Sequence, residues 1–172
     1  MTDTKKTKLH IVITAAVMIF IFIQSAMPGD ISGAESNIIV QFIAGITGWN
    51  EEALSIAVRK AAHFTEFFIL GICLNINMRD LMNRRAKTAK TEADSESTAK
   101  APHIKAWYLG AAWLIGTAYA ITDEFHQLFV PGRTYSAIDV CIDSAGVLLG
   151  VIAELIIRAN HKENSKDFSI SK

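Results

Sequence analysis

The pattern of hydrophobic and polar positions divides the chain into four apolar runs separated by polar segments. The runs cover residues 9–26, 61–78, 106–121 and 135–157. A helix of roughly 20 apolar residues is long enough to cross a bilayer, and we expect the shorter third run to continue to about Phe129. A signal peptide also begins with basic and then apolar residues. The first run has a long apolar core and further runs follow, so we favour a retained helix and predict an all-α bundle of four transmembrane helices.

The placement of lysine and arginine predicts the orientation of these helices. Residues 1–8, 79–105 and 158–172 carry most of the basic side chains, whereas the opposite side carries Arg59, Lys60 and Arg133. Basic residues favour the cytoplasmic side of a membrane. We therefore expect a protein of the cell membrane with two cytoplasmic tails, and a membrane domain over residues 9–157 that is interrupted by a polar cytoplasmic linker at 79–105.

The first outer segment, residues 27–58, differs from the linker because it contains apolar residues at helical spacing. Asn50 followed by Glu51 and Glu52 is typical of a helix N-terminus. We expect short helices that lie at the outer membrane interface.

Composition agrees with this organisation. The mean hydropathy is +0.27 although 20% of the residues are charged, because charged and apolar residues are segregated along the chain. The net charge is zero, and no basic stripe is interleaved with aromatic residues, so nucleic-acid binding is disfavoured. Cys73 and Cys141 lie in apolar runs without metal-ligand spacing.

Acidic side chains from three predicted helices fall at one depth in the outer half of the membrane. Glu66 lies roughly 9 Å and Asp143 roughly 10 Å below the outer ends of their helices, and Asp123 and Glu124 lie about 8–9 Å below theirs, at 1.5 Å per residue. An acid in mid-membrane costs about 2.5–3.5 kcal/mol, so such residues usually have a function. These acids and Asp139 outnumber the bases, which requires a charged histidine, a protonated acid or an additional cation.

Several interpretations of these residues remain open. Ser136 and Asp139 have the spacing of a capping box at the start of the fourth helix. His63 with Glu66, and Glu124 with His126, resemble two halves of a metal site, although the spacing is not that of a known motif. Arg133 follows a Pro-Gly turn and can hold a phosphate or carboxylate, whereas Arg59 is expected to anchor the interface. A purely structural hydrogen-bonded network is the remaining possibility.

Three stretches resemble the VanZ-like family of small membrane proteins. They are "FIQSAMP" at residues 22–28, "RKAAHFTEFFILG" at 59–71 and "TDEFHQLFVPGRTYSAIDVCIDSAGVLLG" at 122–150. The founding member of that family is associated with resistance to the glycopeptide teicoplanin. The family's recurrent polar positions correspond here to Lys60, His63, Glu66, Asp123, Glu124, His126, Gln127, Arg133, Asp139 and Asp143.

These observations predict an outward-facing polar site that acts on, or binds, a cell-envelope or lipid-linked ligand. Lys60 and Arg133 would hold an anionic group, with Gln127 and Asp139 as further binding residues. The candidate catalytic residues are His63, Glu66, Asp123, Glu124, His126 and Asp143, in which the histidines would carry protons. The alternatives are a structural or interaction protein with a buried polar network, and an ion- or proton-coupled transporter. The sequence assigns no cofactor, metal or oligomeric state.

Overall fold

The fold is all-α in a computed structural model that describes residues 3–28, 40–92 and 102–170. The described residues form five helices and no strand. They are α1 (Asp3–Ser25), α2 (residues 40–47), α3 (Glu51–Glu92), α4 (Pro102–Gln127) and α5 (Ala137–Ile170). The helical class predicted from the sequence is therefore confirmed.

Three of these helices are long and apolar enough to cross a membrane. The spans lie at Thr4–Ser25, Glu51–Thr88 and Ala137–His161, within α1, α3 and α5. Helix α4 has 26 residues, about 39 Å at 1.5 Å per residue, but glycine, threonine, tyrosine and tryptophan interrupt its aliphatic side chains. Length and composition therefore support a multi-pass membrane protein, but they identify three of the four predicted spans.

Helix α3 begins where the sequence predicts a helix N-terminus. The Asn50 side-chain oxygen accepts hydrogen bonds from the backbone N–H groups of Glu52 and Ala53, at 2.9 and 3.2 Å. Such caps satisfy N–H groups that have no partner within the helix. No proline interrupts the next 42 residues, so α3 continues through the second apolar run and into the predicted linker.

The expectation of short interfacial helices in the first outer segment is therefore only partly correct. Residues 40–47 form a separate helix, which ends at Gly48 with φ 70°, a conformation that glycine adopts without steric cost. Residues 51–58 are instead the first turns of α3. Residues 29–39 of this segment and 93–101 of the linker lie outside the described residues.

Helices α3 and α5 pack in parallel at very close range. A Cβ atom at Gly71 would overlap the carbonyl oxygen of Val147, and one at Gly150 would overlap the carbonyl oxygen of Phe68. At Gly146 the distance to the Phe64 carbonyl oxygen would be 2.7 Å. Gly146 and Gly150 form a G-x-x-x-G step that faces a neighbouring helix, and it lets the two backbones touch.

On both sides of this contact, α3 and α5 pair in the same register. Lys60 pairs with Asp139 near the start of α5, and Asn75 bonds to Glu154 four turns further along. Both pairs join residues separated by 79 positions. Between them lies an apolar layer of buried side chains: Phe67, Leu70, Leu74, Val147 and Val151.

Helices α1 and α4 complete the bundle. Ile21 of α1 and Ala112 and Ala120 of α4 are fully buried against the apolar layer. Polar contacts also fasten α1, because the Tyr119 hydroxyl donates to the Met18 carbonyl oxygen at 2.6 Å. The first turns of α3 and α5 and the last turn of α4 lie at the same end of the bundle.

We expect Gly150→Ala to destabilise the protein because its Cβ would push α3 and α5 apart. Overpacking of this kind typically costs about 1–3 kcal/mol, and here the obstacle is backbone. Gly110→Ala is the matched control, since a Cβ there meets nothing within 4 Å and alanine favours helix. Thermal unfolding of the purified protein in detergent measures both; equal unfolding temperatures would contradict the close packing.

Candidate functional site

An open pocket with a cavity volume of about 100 Å³ lies where the first turns of α3 and α5 meet the end of α4. Seven of the residues predicted from the sequence line it: Lys60, His63, Glu124, Gln127, Arg133, Asp139 and Asp143. The other lining residues are Arg59, Gly132, Thr134, Ser136 and Ile142. Three predicted residues, Glu66, Asp123 and His126, do not line it.

A tight connection after α4 forms one wall of the pocket. Gly132 has φ 75°, so the chain can turn back and deliver Ser136 to the start of α5. The Ser136 hydroxyl accepts the N–H of Asp139 at 3.2 Å, as the capping prediction requires. The N–H of Ser136 itself donates to the Glu124 carboxylate at 2.9 Å. Glu124 of α4 thus takes the place that Asp139 would have in a capping box.

Because Glu124 completes the cap, the Asp139 carboxylate is free to pair with Lys60 across the pocket rim. Both side chains remain about one-third exposed, so the pair contributes little stability by itself. Arg59 lies beside it on α3 and also lines the pocket, where the sequence predicted only an interfacial anchor. The rim therefore carries three cations, since Arg133 enters from the opposite side.

The floor of the pocket contains buried polar atoms that have no hydrogen-bond partner among the described residues. Asp143 is 1% exposed, and neither of its carboxylate oxygens has a hydrogen-bond partner among the described residues. The buried Nδ1 atom of His63 is also unpaired there. A buried acceptor left without a partner costs about 1–3 kcal/mol, so this arrangement is unfavourable for the isolated fold.

A second group of residues, which we call the α1 clamp, holds the end of α1 and consists of Ser25, Asp123, Gln127 and Arg133. The Ser25 hydroxyl donates to the buried Asp123 carboxylate at 2.7 Å, and the Gln127 amide donates to the same oxygen at 3.3 Å. The sequence placed Asp123 among the catalytic candidates, but its bonds connect α4 to α1.

Arg133 belongs to both the clamp and the pocket. Its Nε and Nη2 atoms donate to the carbonyl oxygens of Met27 and Gln24, at 3.1 and 3.3 Å, and Nη1 donates to the Gln127 side-chain oxygen at 3.4 Å. A cation at these carbonyls caps the C-terminal end of α1. Burial lowers the pKa of the Arg133 guanidinium, and Arg59 lowers it further, against nearby carboxylates that raise it. Arginine stays protonated despite such shifts, so the pocket retains this charge.

The predicted metal half-sites do not come together. His126 stacks on Phe22 of α1, with ring centroids 4.4 Å apart, and Glu66 lies partly buried outside the pocket lining. Among the described residues, no three His, Cys, Asp or Glu side chains are placed to hold a metal ion. His63 and Glu124 line the pocket without the partners that the sequence suggested.

Sequence analysis missed a polar network at the other end of the bundle. The Asn75 amide donates to the buried Glu154 carboxylate at 2.6 Å, and Arg79 pairs with the same carboxylate. His10 of α1 contacts Asp80 of α3 at 2.8 Å. Asn75 and Arg79 are one helical turn apart inside or beside an apolar run, and that spacing could have revealed them.

We expect Arg133→Lys to loosen the end of α1, because one ammonium cannot reach the three acceptors that the guanidinium fork contacts. Losing charged hydrogen bonds of this kind costs about 1.5–3 kcal/mol. Arg59→Lys is the control, since Arg59 forms no ion pair or side-chain hydrogen bond among the described residues. Limited proteolysis after residue 25 and thermal unfolding would report the difference; a harmless Arg133→Lys would argue against the clamp.

Comparison with known proteins gives a family but no characterised relative. No curated protein and no solved structure shows a significant match to the chain. The family model VanZ/LLP1 matches residues 10–158, which include all of the pocket and the α1 clamp. This match covers most of the 172 residues and agrees with the motifs in α3, α4 and α5. The chain therefore belongs to the VanZ/LLP1 family.

Proposed function

We propose that this VanZ/LLP1 protein crosses the cytoplasmic membrane four times, with both termini in the cytoplasm and the pocket at the outer face. The basic residues of the tails and the linker support this orientation. Helix α4 packs against α3 and α5, and its length is sufficient for a fourth span. In this orientation the starts of α3 and α5 and the end of α4 lie outside.

The pocket binds the anionic group of a cell-envelope or lipid-linked ligand. The observation that carries this proposal is the convergence of Arg59, Lys60 and Arg133 on one pocket. Among the described residues, only Lys60 of these three has a carboxylate partner. Arg59 and Arg133, which have no carboxylate partner there, are suited to phosphate, because arginine can hold it through two parallel hydrogen bonds. The location at the membrane surface favours a ligand whose anionic group is attached to a lipid.

The same pocket also contains groups that can transfer protons. His63, Glu124 and Asp143 line it within reach of a bound head group. An imidazole beside carboxylates can act as a general acid or base. We assign no direct ligand contact to Glu66, Asp123 or His126, because these residues do not line the pocket.

The alternatives considered from the sequence receive less support for the pocket residues. The α1 clamp and the polar network around Glu154 contain hydrogen bonds that join helices, whereas neither carboxylate oxygen of Asp143 has a partner among the described residues. Transport requires a path across the membrane. In the described part of the chain, the buried apolar layer of Phe67, Leu70 and Val147 instead separates the pocket from the polar network around Glu154.

We further propose that binding of such a ligand changes the response of the cell to teicoplanin, as the family resemblance implies. Expression in a sensitive Gram-positive host would then alter teicoplanin susceptibility, and Arg59→Gln would reduce the effect at equal membrane levels. An unchanged response with the wild-type protein would remove the resistance role while leaving ligand binding to be measured directly.

We expect short-chain phospholipids to raise the unfolding temperature of the purified protein more than diacylglycerol with the same acyl chains. A ligand that binds only the folded state stabilises it by an amount that grows with its concentration over Kd. Arg59→Gln should weaken this response several-fold, whereas Arg158→Gln, an exposed residue at the other end of α5, should not. Equal responses to phospholipid and diacylglycerol would contradict an anion site.

A further inference from the structure

We infer that the ligand of this pocket carries a primary ammonium group as well as a phosphate, and that the floor formed by Asp143 and His63 holds the ammonium. This inference rests on the proposed function, since it assigns the second half of the same ligand. It makes the head group zwitterionic, as in a phosphoethanolamine.

With His63 protonated on Nε2, the floor presents three acceptor atoms and no donor. They are the two carboxylate oxygens of Asp143 and the Nδ1 atom of His63, all buried and without a partner among the described residues. Asp143 is more than nine-tenths buried and is one of the residues that line the pocket, so its unpaired carboxylate lies next to whatever occupies that space. An ammonium group offers three donors and one positive charge, and therefore satisfies all three atoms together.

The protein's own cations do not fill this role. Lys60, the ammonium group nearest in sequence to His63, pairs with Asp139 at the rim. No ion pair joins Asp143 to a basic residue within the described part of the chain. Protonation of Asp143 would remove its charge, but it would supply only one donor and would still leave acceptors unpaired.

A metal ion fits the floor less well than an ammonium group. The described residues contain no cluster of three or more His, Cys, Asp or Glu side chains that could hold a metal. Divalent cations such as Ca²⁺ and Mg²⁺ require six or more oxygen ligands or retained waters. An ammonium group needs only the three acceptors that are present.

The rim and the floor are separated by a distance that one small head group can bridge. Asp139 at the rim and Asp143 at the floor are one turn apart on α5, about 6 Å at 1.5 Å per residue. A two-carbon spacer between phosphate and amine has a comparable reach. Phosphate at the level of Arg59 and Lys60 would therefore place its amine near Asp143.

The pocket also discriminates between kinds of ammonium. Quaternary ammonium groups have no N–H donors and are usually held against aromatic rings. Among the described residues, the lining contains no Phe, Tyr or Trp side chain. The site is therefore suited to a primary amine, and each N-methyl group added to the ligand removes one donor from the floor.

The test compares four dihexanoyl lipids with identical acyl chains: phosphatidylethanolamine, its N,N-dimethyl derivative, phosphatidylcholine and phosphatidylglycerol. Their dissociation constants are measured with the full chain in detergent, by titration of the unfolding temperature. We expect phosphatidylethanolamine to bind at least tenfold more tightly than phosphatidylcholine or phosphatidylglycerol, with the dimethyl lipid between them. Asp143→Asn should reduce the preference to about one.

The methylation series uses the wild-type protein, so it gives a result even if Asp143→Asn folds poorly. Equal binding of all four phospholipids would overturn the ammonium site and leave the anion site intact. A preference that persists in folded Asp143→Asn would also overturn it, because another group would then recognise the amine. Failure of every phospholipid to bind better than diacylglycerol would overturn both proposals.

Discussion

The contact between the backbones of α3 and α5 determines the rest of the structure. Gly71, Gly146 and Gly150 leave no room for a side chain between the two helices, so their alignment is fixed by backbone atoms. The same alignment brings Lys60 to Asp139 at one end and Asn75 to Glu154 at the other. In a bilayer, where apolar side chains gain little by leaving lipid for protein, such close packing and interhelical hydrogen bonds hold helices together. The pocket exists because the two helices are held parallel below it.

The polar residues at the pocket end of the bundle divide into a pocket and a clamp with different physical tasks. In the clamp, the polar side chains mostly have partners: Asp123 receives two hydrogen bonds, and Arg133 donates to three acceptors. In the pocket floor, the two carboxylate oxygens of Asp143 and the Nδ1 atom of His63 have no hydrogen-bond partner among the described residues. Arg133 connects the two groups, because it lines the pocket and also donates to the end of α1. Within the pocket, Glu124 caps α5 and thereby releases Asp139 for Lys60. The paired groups of the clamp stabilise the fold, although one Asp123 oxygen has no partner among the described residues. At Asp143 both carboxylate oxygens are unpaired there, and this residue lines the pocket, where a ligand can complete the bonding.

Much of this arrangement could be predicted from spacing. The helix N-terminus at Asn50 follows from the residues around it, and the structure confirms it. The expectation that polar residues of three helices fall at one level agrees with the pocket, which is lined by His63, Glu124 and Asp143. The continuity of α3 was missed because polar residues inside a long helix resemble a boundary when only hydropathy is considered. The separation of Asp123 and His126 from the pocket could not be predicted either. Helix α4 contacts α1 as well as α3 and α5, and periodicity does not tell which neighbour receives a given face.

The central claim is that the pocket opens to the outside of the cell, and cysteine labelling tests it most directly. In a chain with Cys73 and Cys141 replaced by alanine, Thr134→Cys would place a thiol in the pocket lining, and Arg85→Cys would place one on the part of α3 that we propose to be cytoplasmic. A membrane-impermeant maleimide is applied to intact cells. We predict labelling at position 134 in intact cells, and at position 85 only after the membrane is permeabilised. The reverse pattern would place the pocket in the cytoplasm and contradict its role as a receptor for an envelope ligand.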